Sequence, residues 1–232
     1  IVFATEQGMV RRNSMDAFAN IPTAGKYAMG FVEGSGDRLI GVQLLTEEQE
    51  IFLASDSGKA IRFSATDARE TKSRTGIGVR GMSLKKGGKV VSMAVLDPLT
   101  ADMETREAYL RAAAWKNNDA VSTLPAEQVA AMAEGEEFIL TITANGYGKI
   151  SSAYEYRRTG RGGQGLTAHG LGGRAGTIVQ QKHRMPGLRR DLGNAGAHGA
   201  GADHGDACRS VQCAHDSTSL EAWGAFFHEG AD

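Results

Sequence analysis

Apolar residues in this chain come in short runs that break at a polar turn ending in glycine and resume directly after it. Glu50-Ile51-Phe52-Leu53-Ala54 is one such run, Ser55-Asp56-Ser57-Gly58 the turn, and Lys59-Ala60-Ile61-Arg62-Phe63 the run that leaves it. This pattern predicts a tight β-hairpin, because strand-forming residues flank a turn whose glycine takes up positive φ without a Cβ clash. The same plan recurs from Ile1 to Arg12 around Gly8 and from Phe138 to Ile150 around Gly146. Three copies of one unit predict a repeat protein.

Each hairpin is followed by a polar connection and two further apolar runs. In the first unit these are Ser14 to Phe18, Pro22 to Gly25, Lys26 to Phe31, the turn Gly34-Ser35-Gly36-Asp37, and Arg38 to Leu44. The second unit repeats the order: Ala68 to Thr75, Gly76-Ile77-Gly78, Val79 to Leu84, the turn Lys85-Lys86-Gly87-Gly88, and Lys89 to Val95. Gly8 and Gly58 stand 50 residues apart and Gly25 and Gly78 stand 53 apart. Four short strands in each such interval predict an all-β chain of four-stranded blades around an axis, as in a propeller. One blade cannot cover both of its own faces, so it needs neighbours, and closure removes the exposed edges. The expected blades are residues 1–47, 48–97 and a partial one at 137–168. The third keeps its connection at Tyr154 to Thr159 and places Gly165 where Gly25 and Gly78 stand, and then only Leu166-Thr167-Ala168 of the next run remains.

Two stretches depart from the pattern. Residues 98–136 are expected to form a helical insertion: Met103, Ala108, Tyr109, Leu110, Ala113, Ala114 and Trp115 recur at helical spacing between Ala101 and Asn117, and Thr123 caps a second helix that runs through Val129 to Ala133. Residues 169–232 hold all six histidines and both cysteines among Gly-Ala-His clusters, with no run that persists as a strand. This stretch is expected to be a low-complexity, disordered or irregular, non-native tail, from a wrong reading frame or an unrelated sequence.

Charge changes the picture by segment. Residues 1–100 hold 13 Lys and Arg against 11 Asp and Glu, residues 138–168 hold 4 against 1, and residues 101–137 hold 3 against 8. The repeats are therefore mildly basic and the insertion acidic, which makes the insertion a poor partner for phosphates. No apolar run is long enough to span a bilayer. The chain starts within a strand, with no initiator Met and no signal peptide, so it is expected to be a fragment of a longer cytoplasmic protein. Two cysteines, Cys208 and Cys213, make no disulfide framework.

Candidate chemistry is sparse. No histidine lies in 1–168, which excludes Ser-His-Asp and Cys-His sets there, and no P-loop is present. Asp56 and Asp67 read as turn residues. Gly160-Arg161-Gly162-Gly163-Gln164-Gly165 matches G-x-G-x-x-G by letter, but it lacks the buried strand before and the helix after that a dinucleotide site needs. It reads instead as a loop between blades, whose bare amides beside Arg157, Arg158 and Arg161 suit phosphate oxygens. His204, Cys208, Cys213 and His215 imitate a zinc set, yet their spacing fits no familiar site, so no metal is assigned. Basic residues recur on the strand leaving the glycine turn, at Arg11 and Arg12, Lys59 and Arg62, and Lys149. Others lie on the connections, at Lys26, Lys72, Arg74, Arg80, Arg157, Arg158 and Arg161. A solvated face explains any one of them. Their recurrence predicts a cationic rim that a bent duplex follows by its backbone, without base reading. Charge reversal at Arg11, Arg12 and Arg62 together is then expected to weaken binding and spare the fold.

Thr23-Ala24-Gly25-Lys26, Gly34 to Val42, Gly76 to Met82 and Thr143 to Lys149 resemble consecutive middle blades of the C-terminal domain of the bacterial DNA gyrase A subunit. The resemblance covers 1–100 and 135–168. It implies a β-pinwheel around which DNA wraps, in a type IIA topoisomerase that introduces negative supercoils with ATP. The partners it implies are double-stranded DNA, the gyrase B subunit, and the rest of the gyrase A subunit. ATP and Mg2+ would act elsewhere in that complex, leaving this fragment with no cofactor and no catalytic residue. The family's Gln-Arg-Arg-Gly-Gly-Lys-Gly box belongs to a blade upstream of Ile1, and Arg161 to Gly165 echoes it only in part. The alternatives are the equivalent domain of the topoisomerase IV A chain and a protein-binding propeller whose basic residues serve solubility.

Overall fold

The computed structural model describes residues 1–112 and 122–171, and the backbone of 178–183. Its strands, in chain order, are β1 Val2–Thr5, β2 Met9–Arg12, β3 Leu39–Gln43, β4 Glu50–Ser55, β5 Lys59–Ser64, β6 Val79–Arg80, β7 Val90–Leu96, β8 Phe138–Thr143, β9 Gly148–Ser152, β10 Leu166–Thr167 and β11 Ile178–His183. Two helices, α1 Met103–Arg111 and α2 Ala126–Glu134, lie between β7 and β8. The three expected hairpins form as β1–β2, β4–β5 and β8–β9. Gly8, Gly58 and Gly146 hold φ near 80° at their turns. Six residues after each of these glycines a serine, Ser14, Ser64 or Ser152, accepts a backbone N–H and starts a short 3-10 turn, which ends the strand by the capping chemistry of a side-chain oxygen.

The sheets are not built unit by unit as expected. The first has the order β3-β1-β2-β6 and the second β7-β4-β5-β10, so each of these two hairpins takes its last partner from the unit that follows. Strand β6 pairs with β2 through Met9↔Arg80 and Val10↔Val79, and β10 pairs with β5 through Leu166↔Ala60 and Thr167↔Lys59. Glycine makes the exchange possible. A Cβ on Gly78 would come within 2.2 Å of the Val10 carbonyl oxygen, and one on Gly165 within 2.4 Å of the Ala60 carbonyl oxygen, both at positive φ. Lys26 to Phe31, the counterpart in the first unit, forms no strand. It is tied down by Arg11, which donates to the Ala28 carbonyl.

All six residues of β4 are buried. Ile51 and Leu53 face the first sheet, packing with Val2, Ala4 and Val10, while Phe52 and Ala54 face the third, packing with Ile139, Ala153 and Tyr156. A strand covered on both sides has no wet face, and this is why its sequence reads as an unbroken apolar run. Phe52 meets Tyr156 edge-on at 4.9 Å between ring centres. Each such buried side chain contributes about 1.5–3 kcal/mol. The strands β3, β7 and β11 lie side by side along one edge of the stack, and β6 and β10 end the first two sheets at the opposite edge.

The third sheet has the order β11-β8-β9, with β11 paired from Ile178↔Thr143 to His183↔Phe138. His169 is tied in as well, its N–H donating to the Gly58 carbonyl at 3.2 Å. The expectation that no strand persists beyond residue 168 is therefore corrected: Ile178 and Val179 begin a strand that pairs fully with β8. The remainder of the expected tail, 172–177 and 184–232, lies outside the described residues. In the insertion, α1 is capped by Asp102, which accepts from the Thr105 N–H at 2.8 Å. The second helix starts after Pro125, without a side-chain cap, and not at Thr123. Tyr109 of α1 meets Tyr154 edge-on at 5.7 Å and donates to Glu136 at 2.8 Å, which anchors the insertion on the 3-10 turn Ala153–Glu155.

Candidate nucleic-acid interface

The recurrent arginines do not face solvent. Arg12 and Arg62 occupy the same place, four residues after the hairpin glycine, and both are buried. Arg62 pairs with buried Glu50 and donates to the carbonyls of Asp97 and Ala153, each at 2.8 Å. Arg12 donates to the Ala68 carbonyl at 3.0 Å and to Glu47 at 2.9 Å. Each therefore reaches from one sheet to the 3-10 turn of the following unit and satisfies carbonyls there with the fork of its guanidinium. Arg11 is buried too, 4.9 Å over the Phe3 ring, with its donors on Asn13, Gly76, Arg74 and Ala28. Burial pushes its pKa below the ordinary arginine value. These three leave the predicted rim, and reversing their charge would break the sheet-to-sheet seam rather than spare the fold.

The other candidates divide by what holds them. Arg74 is half-buried and donates to the Ala17 carbonyl at 3.3 Å. Arg161 is exposed but bridges the carbonyls of Asp67, at 2.9 Å, and Arg80, at 3.2 Å. Arg158 is exposed and 3.5 Å from Glu50, and Lys149 is exposed and 3.8 Å from Glu155. Lys72, Arg80 and Arg157 are exposed, Lys26 and Lys59 half-buried, and no hydrogen bond or ion pair ties any of these five side chains to another described residue. Arg80 lies on β6 and Arg157 on the connection to β10, so Arg80, Arg157, Arg158 and Arg161 all lie on the strand and connection where the second unit meets the third.

The glycine-rich loop is the seam of that exchange. The Gly162 N–H donates to the Gly81 carbonyl at 2.6 Å, and Ser83 donates to Gly163 through its N–H at 2.9 Å and to Gly162 through its hydroxyl at 2.7 Å. The Gly162 amide is thus not bare for a phosphate, which corrects the reading of the loop as an amide cradle. Arg62, Tyr156, Arg157 and Gly160 line a shallow cleft beside it, where burial pushes the Tyr156 hydroxyl above its usual pKa. Sequence reasoning passed over Lys85 and Lys86, both exposed on the turn before β7, over exposed Arg69, and over Arg106. Two signals were available: a glycine turn cannot bury paired lysines, and Arg69 stands eleven residues after its hairpin glycine, as Arg157 does. Among the described residues no cluster of His, Cys, Asp and Glu could hold a metal ion, and His204, Cys208, Cys213 and His215 lie outside them.

Three hairpin sheets stacked face to face, the first two finished by a strand from the next unit, define a partial β-pinwheel of the propeller class. A family model described as the DNA gyrase C-terminal domain, beta-propeller, matches residues 1–46, 49–97 and 137–179, leaving out the helical insertion. The chain belongs to this family. It is 42% identical over 191 residues to the DNA gyrase A subunit of Rickettsia bellii and 40% identical over 203 residues to that of Granulibacter bethesdensis, in each case over 77% of this chain and 21% of the relative. The DNA gyrase A subunit of Staphylococcus epidermidis is 34% identical over 179 residues, 16% of its length. The chain thus spans about a fifth of the curated relatives it matches. Among solved structures, the C-terminal domain of DNA topoisomerase IV superposes with a TM-score of 0.57 at 18% identity, over 79% of this chain and 46% of that one. The DNA gyrase A C-terminal domain superposes with a TM-score of 0.54 at 20% identity, over 78% and 48%. Both likenesses bear on the fold.

Proposed function

We propose that this chain is a DNA-wrapping segment of a gyrase A subunit. It contributes no catalytic group and works by bending double-stranded DNA around its outer edge within an ATP-dependent type IIA topoisomerase that introduces negative supercoils. The observation that carries this reading is the placement of Lys72, Arg80 and Arg157: exposed, unengaged by other described side chains, Lys72 on the connection to β6, Arg80 on β6 itself and Arg157 on the connection to β10. Cations held out along a curve neutralise phosphates of any sequence. The protein partners are the gyrase B subunit, with the rest of the gyrase A subunit, and ATP and Mg2+ act there. A cytoplasmic setting fits this role, and no helix among the described residues is long and apolar enough to cross a membrane. Family membership and the identity to gyrase A subunits favour gyrase over topoisomerase IV.

The test is a titration of the 232-residue chain with two unrelated linear duplexes across a range of salt. Equal affinity for both, with log K falling linearly in log salt, is the expected result. Binding that ignores salt, or no binding to either duplex, would transfer the fold to the protein-binding reading.

A further inference from the structure

We propose that Arg106 of the helical insertion joins Arg157 and Arg158 in a corner that takes one backbone phosphate where the duplex crosses from the second unit to the third. This rests on the DNA-wrapping reading above. Tyr109 is buried against Tyr154 and so brings α1 onto the turn Ala153–Glu155. Arg106 stands three residues before Tyr109, on the same helical face, so the contact that docks Tyr109 also carries Arg106 toward Tyr156-Arg157-Arg158, which follow that turn. Arg106 is half-buried, and its guanidinium has no hydrogen bond or ion pair to another described residue. Burial first, then the nearby charges of Arg62 and Arg157, push its pKa below the ordinary arginine value, while Glu107 and Asp102 pull the other way.

The acidic groups around the corner already have partners, and for Glu50 these include Arg158 of the corner itself. Glu50 is buried and holds Arg62, the Leu99 N–H at 3.3 Å and Arg158 at 3.5 Å. Glu107 pairs with Arg111 at 3.2 Å, Asp102 caps α1, and Glu155 lies 3.8 Å from Lys149. Arg106 therefore shares a neighbourhood with Arg62 and Arg157, while Glu50 is held by Arg62 and Arg158. A half-buried cation among like charges gains from an anion, and a guanidinium fork matches the oxygens of a phosphodiester. The insertion is acidic as a whole, with 3 basic against 8 acidic residues in 101–137. Among its carboxylates Asp102 caps, Glu107 pairs, and Glu136 and Glu137 are buried, whereas Glu104, Glu127 and Glu134 are exposed.

The experiment measures duplex affinity of the full chain as a function of salt for the wild type, Arg106→Ala, Arg106→Lys and Arg111→Ala, each checked by circular dichroism and melting. Arg106→Ala is expected to flatten the salt slope by about one, Arg106→Lys to keep it, and Arg111→Ala, which removes the same charge from an exposed pair, to leave it unchanged. A wild-type slope in Arg106→Ala, or an equal loss in Arg111→Ala, would overturn the corner while the wrapping reading stands. A wild type that binds without salt dependence would instead remove the wrapping reading and this contact with it. Inorganic phosphate that raises the melting point of the wild type but not of Arg106→Ala, with duplex slopes equal, would assign the corner to a free anion and overturn the duplex contact.

Discussion

Arg62 and Arg157 line the same cleft between the second and third units, yet one is enclosed and the other held out. Both have a counterpart one unit earlier. Arg62 is matched by Arg12, and both join one sheet to the turn of the next. Arg157 stands eleven residues after Gly146, a place held in the second unit by Arg69, and both are exposed. Recurrence of a charge in a stacked repeat therefore does not reveal its task; the element that carries it does. A strand inside the stack is covered on both faces, so its arginine serves attachment to the neighbour, whereas a connection at the outer edge keeps its arginine in water. Burial sets the terms: an arginine taken out of water must fill its donors with carbonyls and carboxylates, and Arg62 does so with Glu50, Asp97 and Ala153.

The change that strains this comparison most is Arg62→Ala. It strands Glu50 in the interior with only the Leu99 N–H and the more distant Arg158. Removing one partner of a buried pair costs about 3–5 kcal/mol, so the urea midpoint of the variant should fall sharply. Where the variant is still folded, the salt slope of duplex binding should stay that of the wild type. A variant of unchanged stability and weakened binding would place Arg62 on the DNA and erase the distinction.

The complementary change is Lys72→Glu, Arg80→Glu and Arg157→Glu together. Three lost phosphate contacts should flatten the salt slope by roughly 2.7, at about 0.9 for each, with affinity falling for every sequence alike. Stability should move little, since each is a surface substitution worth within about 0.5 kcal/mol. A triple variant that binds as the wild type does would confine the duplex to other cations, with Arg69, Lys85 and Lys86 next in line.

The two halves of the comparison also differ in how much of them the sequence disclosed. Hairpins were legible because their signals are local: an apolar run, a polar turn and a glycine at fixed offset, as at Gly8, Gly58 and Gly146. The strand exchange was not, since Val79 and Leu166 follow their own unit in sequence and only the tight approach of Gly78 to Val10 and of Gly165 to Ala60 shows where they go. The buried arginines misled for a related reason. Along a strand, Arg12 and Arg62 read like solvent-facing residues, but each lies on the face that the following unit covers. The outer cations Arg80 and Arg157 were legible by composition alone, while Arg106 was hidden in a segment whose net charge points the other way. Strand β11 was missed because the surrounding glycine-rich composition outweighed one short apolar pair, Ile178-Val179.

His169 lies between these two kinds of site, and its effect is the smallest. It follows β10, shares a 2.9 Å hydrogen bond with Thr141, and has exposed Lys149 nearby. Burial first, and then Lys149, lower its pKa below the ordinary histidine value. Between that lowered value and about 6.5 in the unfolded chain, the unfolded state binds more protons than the folded one, so stability rises with pH across the window. The contribution is complete above the unfolded value and is lost as the pH falls through the folded one. Melting of the wild type from about pH 7.5 down to 5.5 should therefore lose more than melting of His169→Gln, which has no proton to take up. Parallel profiles would mean that His169 is as open to water in the folded chain as in the unfolded one, and the joint between β10 and the second hairpin would then rest on the pairing of β10 with β5 and on the backbone bonds from Ala168 and His169 to Gly58.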